Sequence, residues 1–266
     1  MTGLARVWIL VAHQLRSRVR SVAIWGVALG ALGALYVALY PSMSGLLEQY
    51  VDQAPEQMQQ FMGGLQGPIT IEQWLELEFV NVLIPIALPF LVMAIGARAI
   101  AGGEERKSLD LLLSNPLPRW QIVAGSVGTM AASLAGVLAI AWVLTYIAVP
   151  LAGVGLGPGR LAAGLAALWP MCLFFGALAL LASALVRRAA LAIAIPAVIL
   201  IAMYVLDGLA QVSRSIEPLR ILSLFYHLGR PLEGDFPWTA ALLMLAGVCA
   251  LAGAAMAAFA RRDVYT

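Results

Sequence analysis

Apolar and charged positions are sharply segregated along this chain. Six stretches carry no charge: Ser21–Leu47, Phe79–Ala97, Trp120–Gly159, Leu161–Val186, Ala189–Leu206 and Phe236–Ala260. A membrane-crossing helix needs ~20 mostly apolar residues, and a charge at mid-bilayer would cost roughly 2.5–3.5 kcal/mol on insertion scales. Each stretch is long enough for one span. The longest has room for two, but Pro150 and the run Gly153, Gly155, Gly157, Pro158, Gly159 predict a helix end and a loop. The pattern predicts an all-α membrane protein, a single transmembrane domain over 1–266. Its six transmembrane helices lie at about 21–41, 79–97, 120–149, 161–186, 189–206 and 238–260. A β-barrel is excluded, because its strands alternate with period two and need only ~9–11 residues.

The segments between spans are patterned too. Over residues 3–20, Leu4, Val7, Trp8, Val11, Leu15 and Val19 share one helical arc, and Arg6, His13, Arg16, Ser17 and Arg20 the other. This predicts an amphipathic helix in the headgroup layer; the alternative is that it simply continues span one. An outer loop over 41–78 holds a stripe of Met43, Leu46, Leu47, Tyr50 and Val51, and a second of Met58, Phe61 and Met62. Both read as packing faces of short helices. After the turn Gly63–Pro68, Thr70-Ile71-Glu72-Gln73 has the form of a capping box opening a helix into span two. A second outer segment, 207–237, places Leu219, Leu222, Phe225 and Tyr226 at helical spacing. Together these predict a small lid of short extracellular helices.

Composition agrees with the pattern: of 266 residues, 62% are hydrophobic and 11% charged, against roughly 25% charged in soluble domains. Charge also sets orientation. Twelve of the 16 basic residues, among them Arg16, Arg18, Arg98, Arg119, Arg187 and Arg261, fall before span one, after span six, or between spans two and three and four and five. With four acids, that side carries +8, and the other side −6. The positive-inside rule then places both termini in the cytoplasm, in the inner (plasma) membrane. The +2 net charge gives no indication of nucleic-acid binding. No cleavable signal peptide is expected, since the run after Arg20 is too long for one. Cys172 and Cys249 fall inside spans and read as small hydrophobes, with neither a disulfide nor a metal role.

Within the spans, Asn81, Thr129, Ser133, Thr145 and Ser183 are expected to bond the backbone or neighbouring helices. Pro85, Pro89, Pro170 and Pro196 mark expected kinks, and Gly26, Gly30 and Ala34 a close packing face. No ionisable residue lies in the middle of a span, which argues against a proton-coupled carrier.

The most specific segment is Gly103-Glu104-Glu105-Arg106-Lys107-Ser108-Leu109-Asp110-Leu111-Leu112-Leu113-Ser114-Asn115-Pro116-Leu117-Pro118-Arg119, in the loop 98–119. It reads as a short helix with acids at its start, where they suit the helix dipole, ended by Asn115-Pro116. Leu109, Leu112 and Leu113 share one face. Such a face needs a groove, on the chain's own N-terminal helix or on another subunit.

An acidic pair, a base, a Leu-rich turn and Ser-x-Pro-x-x-Arg resemble the cytoplasmic loop of ABC-2-type permeases, the membrane subunits of ATP-binding-cassette exporters. The N-terminal helix, six spans, long first outer loop and closing Phe259-Ala260-Arg261-Arg262-Asp263 are similar to that family too. The resemblance implies that Glu104, Glu105, Arg106, Leu109, Leu111, Leu112, Leu113, Ser114, Pro116 and Arg119 form a coupling helix docked on an ATPase subunit. It also implies that Trp8, Val11, Leu15 and Arg16 belong to an elbow helix that transmits motion. The partners implied are two ATPase copies and a second permease copy or homologue. ATP and Mg would be bound by the ATPase, with no cofactor on this chain. ATP-driven closure would push the coupling helix and tilt spans one, two and five. Two departures stand out: Lys107-Ser108 where the family often has Gly-Thr, and Gly125-Ser126 where it often has a Lys nearby.

The chain has no Walker-type G-x-x-x-x-G-K-[ST], so it is not expected to be an enzyme itself. The alternative function is a secondary transporter or channel without an ATPase partner. An intramembrane serine protease is disfavoured: Gly125-Ser126-Val127-Gly128 faintly suggests a nucleophile turn, but His13 and His227 are both predicted outside the bilayer. A purely structural membrane anchor is the remaining class. The apolar span walls suit a hydrophobic or amphipathic substrate.

Overall fold

A computed structural model of the chain describes residues 3–53, 69–105, 118–213 and 215–261, with backbone alone for 3–6 and 46–53. The described residues contain helices and turns and no strand beyond one isolated bridge, Arg230 to Asp235. We label α1 Gly3–Gln53, α2 Ile71–Ala99, α3 Ala101–Glu105, α4 Arg119–Leu151, α5 Pro158–Leu185, α6 Ala189–Val212 and α7 Trp238–Arg261. Six of these are long and apolar enough to cross a membrane; α3 is a five-residue turn. The protein is an all-α membrane protein with six candidate membrane-spanning helices.

α5 is the hub, packed against α2, α4, α6 and α7. Gly residues let it seat closely. A Cβ at Gly96 of α2 would stand 2.5 Å from the Gly176 carbonyl, and one at Gly176 would stand 2.8 Å from Met130 Sδ of α4. Without a hydrophobic drive between helices in lipid, such close backbone approach is what holds spans together. α4 and α5 form an antiparallel hairpin fastened by indole donors: Trp169 Nε1 to Ala131 O at 3.0 Å and Trp142 Nε1 to Pro158 O at 3.1 Å. As expected from Pro150 and the following glycines, the hairpin turns just beyond α4, with Gly153 at φ 67°.

α1 lies along α4 for most of that helix's length, and the two run parallel. Leu10 abuts Gly125, Val11 Gly128, Val22 Gly136, Gly26 Ile140, Gly30 Leu144 and Gly33 Thr145. The small-residue face is thus Gly26, Gly30 and Gly33 rather than Gly26, Gly30 and Ala34. α1 is continuous through residue 20, so the separate elbow expected over 3–20 is instead the first third of one 51-residue helix. Two features favour continuity. No Pro, Gly or cap interrupts residues 4–25, and α4 extends down to Arg119, offering a wall for Val11 and Gln14. At ~1.5 Å per residue α4 is about 50 Å long, more than the ~30 Å hydrocarbon core, so α1 and α4 tilt or project together.

α1 also continues through Pro41 to Gln53, into the segment expected to be loop; Met58, Phe61, Met62 and the turn 63–68 lie outside the described residues. The capping box forms as expected: Gln73 N donates to Thr70 Oγ1 at 3.3 Å, and Thr70 N to Gln73 Oε1 at 3.2 Å. α2 therefore starts eight residues before the charge-free stretch and takes Glu72, Glu76 and Glu78 into the helix. From Glu76 to Leu83 it is a π-helix, ending where the Ile84 N–H bonds the Phe79 carbonyl. Pro85 follows at once and has no N–H to give Asn81, which favours a local change of hydrogen-bond register.

The segment between α6 and α7 is built of three short helices, as expected, and all three are 3₁₀: Glu217–Leu222, Tyr226–Leu228 and Pro231–Glu233. Pro218 and Pro231 open two of them, and Gly229 (φ 64°) and Gly234 (φ 107°) end two. Of the residues at helical spacing, Leu219, Leu222 and Tyr226 are exposed and Phe225 is buried, as are Leu228 and Leu232.

Candidate functional site

One end of the bundle gathers the two stems of the loop singled out by the sequence. It holds the end of α2, α3, the start of α4, the α5–α6 turn and the last turn of α7. Arg106, Leu109, Leu111, Leu112, Leu113, Ser114 and Pro116 lie outside the described residues. The two stems of the loop are described, and both are tied to distant spans.

On the first stem, Glu104 and Glu105 belong to α3. Glu105 Oε1 accepts the backbone N–H of Ala189 at 3.0 Å, so it caps the start of α6 from 84 residues away. α6 needs this. Its N-cap is Arg188, whose side chain makes no capping bond, and the first N–H groups of a helix have no partner within it. A carboxylate there also meets the positive end of the helix dipole. An α-helix starting after Arg187-Arg188 without Ser, Thr, Asp or Asn is a signal in the sequence that the cap comes from elsewhere.

On the second stem, Arg119 opens α4. Its guanidinium donates to the Phe259 carbonyl and, at 3.1 Å, to the Ala260 carbonyl, and it lies 5.0 Å from the centre of the Phe259 ring. The last carbonyls of α7 have no helical partners of their own, and a cation complements that end of the dipole. Of the proposed interface residues, Glu105 and Arg119 thus have a defined structural role: they pin the loop to α6 and α7.

The N-terminal residues behave unequally. Val11 is 5% exposed against Gly128, Leu15 is half-buried, Arg16 is exposed and Trp8 is 73% exposed. Beside them Thr129 bonds both the backbone and a neighbouring helix, as expected: its Oγ1 lies 2.8 Å from the Gly125 carbonyl and 2.8 Å from Gln14 Oε1, a partner on α1 that the sequence did not single out. Thr145 Oγ1 donates to Gly30 O at 3.5 Å and Ser183 Oγ to Leu180 O at 2.7 Å, the backbone bonding expected of them. Asn81 Oδ1 and Ser133 Oγ are buried with no partner among the described residues, contrary to expectation. Replacing Thr129 by Val should lower the melting midpoint slightly, by an amount corresponding to about 0.6 kcal/mol, the mean for interhelical hydrogen bonds in membranes. Thermal denaturation in detergent, with Gln14→Leu as the second arm of a double-mutant cycle, measures this.

Charge sorts by end. Beside Glu104 and Glu105 this end carries Arg98, Arg119, Arg187, Arg188 and Arg261, with Arg16, Arg18 and Arg20 on the same part of α1. The opposite end carries Glu72, Glu76, Glu78, Asp207, Glu217, Glu233 and Asp235, some of them paired: Arg160–Glu72 at 2.9 Å, Arg220–Asp207 at 2.8 Å and Arg230–Glu233 at 3.7 Å. Toward that end, an open groove of about 420 Å³ runs between α4 and α5. Trp142 and Trp169 wall it, together with Ala135, Ala139, Ala162 and Ala166.

The family model for the ABC-2 family transporter protein matches residues 8–264, from α1 to beyond α7. The chain belongs to the ABC-2 transporter family. Among curated proteins, none matches it. It is a multi-pass transmembrane permease of the ABC transporter class, the component that generally carries no catalytic site, and the family in general works with an ABC ATPase.

Proposed function

We propose that this permease moves a hydrophobic or amphipathic substrate outward across the inner (plasma) membrane, with both termini cytoplasmic. ATP and Mg are bound by a separate ATPase docked on residues 103–119. Two permease copies, or one and a homologue, pair with two ATPase subunits. The observation that carries this reading is the anchoring of both loop stems. Glu105 holds the start of α6 and Arg119 the end of α7, so force applied to the loop reaches spans five and six as well as the covalently joined spans two and three. A tilt of spans five and six accords with these contacts better than one of spans one, two and five.

Two further observations support it. The arginine-rich end holds the loop, as the positive-inside rule requires of a cytoplasmic face. The open groove between α4 and α5 is lined by Ala, Leu and Trp and offers almost no polar group, which suits an apolar cargo.

The test is a double replacement, Leu112→Asp with Leu113→Asp, in the permease co-expressed with a P-loop ATPase that co-purifies with the wild-type chain. Each Leu buried in a partner groove contributes about 1.5–3 kcal/mol, and a carboxylate in its place opposes docking. Co-purification and permease-stimulated ATP hydrolysis should each fall about tenfold or more. Unchanged association with unchanged stimulation overturns the docking assignment. Stimulation of the reconstituted complex across a panel of lipids, peptides and hydrophobic drugs identifies the cargo.

A further inference from the structure

At the end of the bundle opposite the loop, the segment 217–233 is fastened unevenly. Two bonds tie it to α6, the helix it follows: Arg220 to Asp207 at 2.8 Å, and Ser223 Oγ to the Met203 carbonyl at 2.8 Å. One hydrogen bond among the described residues ties it to α2: the Leu232 N–H donates to Glu76 Oε2 at 2.8 Å. The Leu232 side chain is fully buried on Gly164 of α5, where a Cβ would stand 2.8 Å from it. Glu76 itself is 2% exposed, and its second oxygen, Oε1, has no hydrogen-bond partner among the described residues. Its charged neighbours do not supply one. Arg230 pairs with Glu233 on the same turn, and Arg160 of α5 pairs with Glu72 one helical turn before Glu76.

A buried carboxylate oxygen without a donor is costly, and the cost disappears when the group meets water. The closed arrangement therefore contains a favourable bond and an unfavourable orphan on the same side chain. We propose that Glu76 is a positioning residue for this segment: it latches the segment shut through Leu232, while its unpartnered oxygen keeps the latch easy to release. Glu76 is also the first residue of the π-helical stretch, and such stretches recur at functional sites. The same helix ends at Ala99, next to the candidate docking loop. The latch and the docking loop thus sit at opposite ends of one span. The use of this arrangement in transport rests on the permease reading above; the latch itself does not.

The experiment is hydrogen exchange on the full-length permease in lipid nanodiscs, without ATPase, read on peptides covering 224–236. Glu76→Gln keeps an acceptor for the Leu232 N–H and puts a neutral amide NH₂ where the unpartnered carboxylate oxygen stood; burying that costs far less than burying an unpaired charge, so exchange there should slow about threefold or more. Glu76→Met is similar in bulk but offers no acceptor, so exchange should quicken about tenfold. The opposite signs are the signature, because a purely structural side chain would loosen the segment in both variants. Peptides from the middle of α5 should exchange as in the wild type, which establishes that each variant is folded. Faster exchange in Glu76→Gln, or no change in both variants, overturns the proposal. Should Glu76→Met fail to fold, the sign of the Gln variant alone decides. Since no ATPase is present, a failure of the Leu112 and Leu113 test leaves this result standing.

Discussion

Gly33→Leu combined with Gly30→Leu yields a permease that no longer holds α1 against α4. At Gly30 even a Cβ would lie 2.7 Å from the Cβ of Leu144, and at Gly33 it would collide with Thr145 Oγ1 and with the Phe79 ring. Thr145 cannot swing away freely, since its hydroxyl donates back to Gly30 O and the residue is fully buried. Phe79 is buried too, with Tyr36 of α1 beside it at 6.0 Å between ring centres. The helix axis has to yield, and because the contacts form one ridge from Leu10 to Gly33, a shift at one end lifts the rest. Overpacking costs about 1–3 kcal/mol per site where side chains give way, and more where the backbone moves. Against a total stability of roughly 5–15 kcal/mol, the double variant should melt about 10 °C or more below the wild type, or be recovered only as aggregate. Gly208→Ala is the control. Nothing lies within 4 Å of that position on α6, so the added methyl should leave the midpoint unchanged or slightly raised. Thermal denaturation monitored by size-exclusion chromatography distinguishes these outcomes, and a wild-type midpoint for the double variant refutes the packing account.

The same glycines show where the sequence is legible and where it is not. Six spans are readable because a run of about 20 uncharged residues has few other uses. The ends of α4, α5 and α7 fall close to the expected boundaries, whereas α1 runs well past both of its own, α2 begins before Phe79 and α6 continues past Leu206 to Val212. At α2 the capping box at Thr70 marks the helix start, but the pattern does not reveal how Glu76 enters the bundle, because the group bonded to its carboxylate is a backbone N–H 156 residues away. Glu105 poses the same difficulty at a separation of 84 residues. Local pattern carries no record of such partners, except indirectly through a helix such as α6 that starts without a cap. The stretch over 3–20 joins α1 without a break for a different reason. Val11 of the apolar arc, with Leu10, Gln14 and Val22, packs along the α4 face that carries Gly125, Gly128 and Gly136, while Trp8 and Val19 of the same arc stay exposed on the bundle surface. Between α6 and α7 the prolines and positive-φ glycines were visible as punctuation. Pro218 and Gly229 flank the stripe of Leu219, Leu222 and Tyr226, which is divided at Ser223, whose hydroxyl bonds the Met203 carbonyl and the Phe225 N–H, into two 3₁₀ helices.

Arg119→Ala should separate docking from transmission. The guanidinium joins the first residue of α4 to the last carbonyls of α7 and lies against the Phe259 ring, whose side chain is fully buried. Hydrogen bonds from a charged donor contribute about 1.5–3 kcal/mol each, and the ring contact about 0.5–2 kcal/mol more. Removing them leaves the Leu face of the loop intact, so the ATPase should co-purify in nearly wild-type amount. The loop then moves without carrying α7, and substrate-stimulated ATP hydrolysis and transport into inverted vesicles should drop about tenfold or more. Arg119→Lys is the informative companion. A point charge reaches one carbonyl but lacks the planar fork that serves two carbonyls and a ring together, so it should restore part of the coupling but not all of it. An Arg119→Ala protein that still couples fully would show that motion bypasses the α4–α7 junction. One that loses ATPase binding would place Arg119 in the docking surface itself rather than in the brace behind it.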